Sequence, residues 1–161
     1  MIKLIYTLLL IIALTNNSLS AGTASDSSDS SSNYTKAKNL IKAAKKYEKK
    51  GKTEKAQKKY AKAQKLLLKS NEIKPLQADT LNYLGFTTRK LGDYEKGEEF
   101  YLQGLQIEPN HNGINEYLGE LYIATNRMEI AKERLEILKS CNCEEYEELR
   151  EIFDGTKKSK Y

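Results

Sequence analysis

Cysteine, proline and histidine are scarce in this chain, and each scarcity removes a class of explanation. Two cysteines, Cys141 and Cys143, are too few for a disulfide framework, so a hydrophobic core has to hold the fold. Two prolines, Pro75 and Pro109, and a lack of β-branched runs after residue 33 leave little to break helices or build strands. Ala, Leu, Lys, Glu and Gln dominate there, which predicts an all-α domain. The single histidine, His111, follows Pro109-Asn110 in a predicted loop, where a polar residue is expected. There is no glycine-rich phosphate loop and no nucleophile–base constellation, so neither a catalytic site nor a cofactor is expected.

Long apolar runs are also missing, with one exception at the start. Residues 4–14 are apolar apart from Tyr6 and Thr7, follow Lys3, and precede a polar stretch with small residues. This is the layout of a secretory leader, and the run is too short to span a bilayer as a helix. Cleavage is expected after Ser20 or after Ala24, with an uncleaved N-terminal anchor as the rival reading. No cysteine follows these positions, so a lipid anchor is not expected. Residues 21–33, AGTASDSSDSSSN, have no apolar face and read as a disordered Ser-rich linker. Residues 34–154 suit one domain, and residues 155–161 read as a basic tail.

What the domain does contain is a period. The two prolines lie 34 residues apart; Leu84-Gly85 recurs as Leu118-Gly119, Tyr83 as Tyr117, Tyr94 as Met128, Gly97 as Ala131 and Tyr101 as Leu135. Leu81, Leu84, Gly85 and Thr88 share one helical face. Gly92 suits a left-handed cap between two helices. Tyr94, Gly97, Tyr101 and Gly104 are expected to form the inward stripe of the second helix. Asn126 stands where unit two has Gly92, a substitution that the left-handed region tolerates. An earlier, weaker unit has Leu40, Ala43, Ala44 and Tyr47, then Gly51, then Ala56, Tyr60 and Ala63. Gly51 and Gly92 are 41 residues apart, so this unit carries seven extra residues, expected in a longer second helix and around residues 70–74. Glu144 to Phe153 reads as a terminal helix covering the exposed end of the stack.

Residues 78–111 resemble the tetratricopeptide repeat along its whole length, with Leu81 at the usual Trp site and Gly92-Asp93-Tyr94 at the inter-helix turn. The resemblance implies a right-handed superhelix of about three helix–turn–helix units, near 37–77, 78–111 and 112–143, with a C-terminal capping helix at 144–153. It departs from the pattern at Asn115, which replaces the large apolar residue, and at Leu138, which replaces a small one. The ending, NEYLGELY then CEEYEELREI, also resembles exported proteobacterial repeat proteins, which implies a periplasmic location. In this family the first helices line a concave groove that binds proteins or peptides. The resemblance places Ile41, Lys45 and Glu48 there in unit one, Asn82, Phe86 and Arg89 in unit two, and Glu116, Glu120 and Ile123 in unit three. Phe86 reads either as a binding anchor or as inter-repeat core. The carboxylate-clamp variant of the family is not expected, because Glu116 and Glu120 would repel a terminal carboxylate.

Charge is split along the chain. Residues 33–75 carry 15 Lys and 3 Glu, a net of +12, whereas residues 76–154 carry 8 Lys or Arg and 17 Asp or Glu, a net of −9. A solvated Lys-rich face is the plain reading. Weak contact with an anionic membrane surface, or with an acidic partner such as the acidic end of another copy, are the functional ones. Nucleic acid is not expected. The C-x-C pair reads as a disulfide or thiols of structural consequence only, as a redox or intermolecular pair, or as a soft-metal site for an ion such as Cu(I). Cys143 falls one period after Pro109, at the junction before the terminal helix, where Glu144 and Glu145 complement the helix dipole.

Overall fold

The computed structural model describes residues 23–159; the leader-like residues 1–20 lie outside them. Among the described residues there are seven helices and no strand: α1 (Thr23–Glu48), α2 (Thr53–Ile73), α3 (Ala78–Lys90), α4 (Tyr94–Ile107), α5 (Asn112–Ala124), α6 (Met128–Leu138) and α7 (Glu144–Phe153). No described helix is long and apolar enough to cross a membrane.

The helices pair as α1–α2, α3–α4 and α5–α6 through three turns of one design. Gly51, Gly92 and Asn126 sit at φ 67°, 99° and 59°, in the left-handed region. In each turn that residue's N–H donates to the carbonyl three residues back, and the next N–H donates to the carbonyl five residues back: Gly92 to Arg89 at 2.9 Å and Asp93 to Thr88 at 3.2 Å, for example. Two stranded carbonyls are satisfied and the chain reverses. The seven extra residues of the first unit are taken up in its second helix, since α2 has 21 residues and α4 has 14.

Close approach within unit two is set at Gly85. A β-carbon there would stand 2.5 Å from the Tyr101 ring of α4, so only glycine leaves room for that fully buried side chain. At Gly119 the equivalent space is filled by Leu149 of α7, which would lie 2.6 Å from an added β-carbon. The terminal helix therefore packs into unit three rather than beside it. Asn115 occupies the buried position of the missing large residue by donating its amide to the carbonyls of Pro109 at 3.0 Å and His111 at 3.1 Å. Leu138 is buried.

Two expectations change. Tyr94 is 42% exposed, so the inward stripe of α4 is Gly97, Tyr101 and Gly104 only. Its equivalent Met128 is exposed as well, because both stand at the first residue of their helix, before it meets its partner. Where residues 21–33 read as a flexible linker, α1 already runs from Thr23. From Ser30 onward the longer α2 gives α1 something to pack on. The Ser30 hydroxyl bonds the Ser70 carbonyl at 3.1 Å, and the Ser70 hydroxyl donates to the Ser30 carbonyl at 3.0 Å, both serines being buried.

Candidate binding face

Along one side of the helix stack α1 meets α3, α3 meets α5 and α5 meets α7. At the α1–α3–α5 junction Phe86 is only 2% exposed, with its ring 5.8 Å from Tyr60 and 5.0 Å from Tyr117. Lys45 lies over it, its ammonium 4.5 Å from the Phe86 ring and 5.3 Å from the Tyr117 ring, and donates to the Tyr117 hydroxyl at 3.1 Å. Phe86 is thus inter-repeat core, not an exposed anchor, because Tyr117 of the following unit and Lys45 of the preceding one cover it.

Arg89 and Glu120 are likewise interior. Both side chains are essentially inaccessible, and they pair at 3.5 Å. The Arg89 guanidinium also donates to the Tyr117 carbonyl at 2.6 Å and lies about 6 Å from the Tyr101 and Tyr117 rings. Asn82 is buried against Gly113, and Ile123 is half-buried in the unit-three core. Ile41 is buried, and Glu48 bridges the Tyr60 hydroxyl at 2.7 Å and the Lys90 ammonium at 2.7 Å. Of the residues expected to line a groove, Lys45 and Glu116 come together at one open space.

That space is a cleft of about 200 Å³ between α1, α5 and α7, lined by Lys45, Glu116, Tyr117, Glu144, Glu145 and Glu148. Glu116 is 7% exposed. Burial above all, then the charges of Glu120 and Glu148, push its carboxyl up to about 8; Lys45 pulls the other way, and Glu145 adds the least. Burial above all, then the charge of Glu116 and the neighbouring Tyr101, Tyr83 and Glu120, raise the Tyr117 phenol far above its ordinary range. Sequence reasoning missed Glu144, Glu145 and Glu148 as cleft residues. Their spacing at i, i+1 and i+4 was the available signal, since it puts Glu144 and Glu148 on one face of α7.

His111 caps α5, its Nδ1 accepting from the Ile114 N–H at 3.2 Å while Nε2 lies 3.3 Å from Asp79. Cys141 and Cys143 are joined by a disulfide at the α6–α7 junction, with Cα atoms 5.2 Å apart. Both are half-buried, and Asn142 between them is exposed at φ 49°. Cys143 is also the N-cap residue of α7.

The architecture is that of an all-helical repeat protein. Residues 78–111, which hold α3 and α4, match the family model of the tetratricopeptide repeat, and the seven helices fit a protein of that repeat type. No curated protein matches the chain at a significant level. Repeats of this kind are typically non-catalytic scaffolds that mediate protein–protein interaction.

Proposed function

We propose that the chain is a non-catalytic scaffold of the cell envelope that receives a segment of a protein or peptide along the face shared by α1, α3, α5 and α7, the concave side of the stack. One observation carries this reading. The side chains around the acidic cleft come from three helices far apart in sequence, so the repeat stack itself assembles the cleft. Export is supported by the leader-like pattern at residues 1–20 and by the closed Cys141–Cys143 bridge, since disulfides persist in oxidising compartments.

Cross-linking of the full chain in an envelope extract tests the reading. Glu145→Lys, in the cleft, is expected to abolish cross-linking of the partner, and Lys62→Glu, on the exposed face of α2, to leave it unchanged. Equal loss or equal retention in the two variants overturns it.

A second reading, a periplasmic thiol-redox accessory, is favoured by the placement of the disulfide beside an exposed residue. Mass spectrometry of the purified protein with and without reductant measures how readily the bridge opens. Partner capture that survives Cys141→Ser with Cys143→Ser removes this reading.

A further inference from the structure

The cleft has a chemical preference that the repeat type does not imply. Four of its six lining residues are glutamates: Glu116 from α5, and Glu144, Glu145 and Glu148 from α7. Acidic clusters on helix surfaces are ordinary and need no ligand. Glu116 differs because it is more than nine-tenths buried, borders the cleft, and has no hydrogen bond or ion pair to any described residue. Its neighbours are committed elsewhere: Glu120 to Arg89 at 3.5 Å, and Glu148 to Lys157 at 2.8 Å. Lys45, the one cation on the cleft wall, is held over Phe86 and Tyr117 by its contacts with the rings and the phenol. A deeply placed carboxyl that feels Lys45 but makes no hydrogen bond or ion pair to a described residue is under-compensated, and a cation entering from the open side would supply a direct partner.

We propose that this cleft binds an alkylammonium or guanidinium side chain, a lysine or arginine of the bound protein segment, with Glu116 at its floor and Glu144, Glu145 and Glu148 at its rim. The inference rests on the scaffold reading and names the chemistry of the segment received. It runs opposite to capture of a terminal carboxylate. The cation comes either from a separate protein or from the lysine-rich α1–α2 half of a second copy, where residues 33–75 carry 15 Lys against 3 Glu.

Binding is linked to protons. Without a cation the Glu116 carboxyl, at about 8, holds its proton at neutral pH. The groups facing it are Lys45 from α1, Tyr83 from α3, Tyr101 from α4, Tyr117 and Glu120 from α5 with Arg89 behind Glu120, and Glu144, Glu145 and Glu148 from α7 with Lys157 behind Glu148. An entering cation displaces the proton, so affinity rises with pH. It is expected to be about tenfold weaker at pH 7 than at pH 9.

The test titrates the full chain with a blocked peptide carrying one central lysine and with its norleucine analogue, reading the NMR signals of Glu116, Tyr117 and Glu145. The lysine peptide is expected to shift these signals and the analogue to leave them. Glu116→Gln should weaken binding at least tenfold and flatten its pH profile. Lys45→Met should tighten binding, which loss of structure would not do. Equal binding of the two peptides, or no effect of Glu116→Gln in a chain of unchanged thermal midpoint, overturns the proposal. Sedimentation of the chain alone identifies the source. A dimer that Glu145→Lys dissolves assigns the cation to a second copy, and a monomer that binds the lysine peptide assigns it to a separate protein. If neither peptide binds while the envelope partner still depends on Glu145, only the cation inference fails; if that dependence is absent too, the scaffold reading fails with it.

Discussion

The α1–α2 pair and the α5–α7 end treat charge in opposite ways. In the first pair most lysines stand on exposed faces, and the inner faces are closed largely by small side chains: Ala37, Ala44, Ala56, Ala63, Ser30 and Ser70 are all buried. At the other end ionisable groups go inside. Glu116 and Glu120 are buried on α5, facing Arg89 of α3 and the acidic flank of α7. Charge that stays in water has little energetic consequence. Charge removed from water is strongly destabilising unless compensated. The two carboxyls differ in pairing: Glu120 has the Arg89 guanidinium 3.5 Å away, whereas Glu116 borders the open cleft.

The comparison breaks hardest at the buried pair. Arg89→Ala would leave Glu120 without its cation and is expected to cost about 3–5 kcal/mol, read from denaturant unfolding. Gly85→Ala comes next. The Tyr101 ring has to move aside, for a loss of about 1–3 kcal/mol in the same assay. A smaller effect sharpens the contrast through pH. Glu116 has its folded pKa raised to about 8 from an ordinary 4.5. Its contribution to stability is therefore complete at low pH and is lost as pH rises from about 4.5 through 8. Thermal midpoints between pH 5 and 9 should fall more steeply in the native chain than in Glu116→Gln. Lys62→Gln, on the exposed face of α2, should change stability by no more than about 0.5 kcal/mol.

The repeat was legible because it depends on residues whose backbone role is local. Gly51, Gly92 and Asn126 each mark a left-handed turn, and the 41-residue spacing between the two glycines already contained the longer α2. The candidate site was much less so. Phe86 stands at a groove position in the repeat pattern, but its exposure is decided by Tyr117 and Lys45, 31 residues after it and 41 before it. Glu144 and Glu145 read as helix-dipole partners, and Glu148 stands out for nothing, because the pattern of α7 alone does not show that Leu149 seats it against Gly119. The start of α1 was hidden for a related reason. Serines read as a tether until a matching serine on the neighbouring helix answers them.

That serine pair has a geometric consequence for the first unit. The facing sides of α1 and α2 mix buried alanines with the larger Ile41, Tyr60 and Leu67, and an alignment displaced by a turn would differ by about 5.4 Å along the axis. The reciprocal bonds between Ser30 and Ser70 close at one alignment only. They act as an index mark near the far end of the unit from the Gly51 turn, fixing how far α1 slides along α2. Through that they fix the height at which Lys45 meets the rings of the next two units.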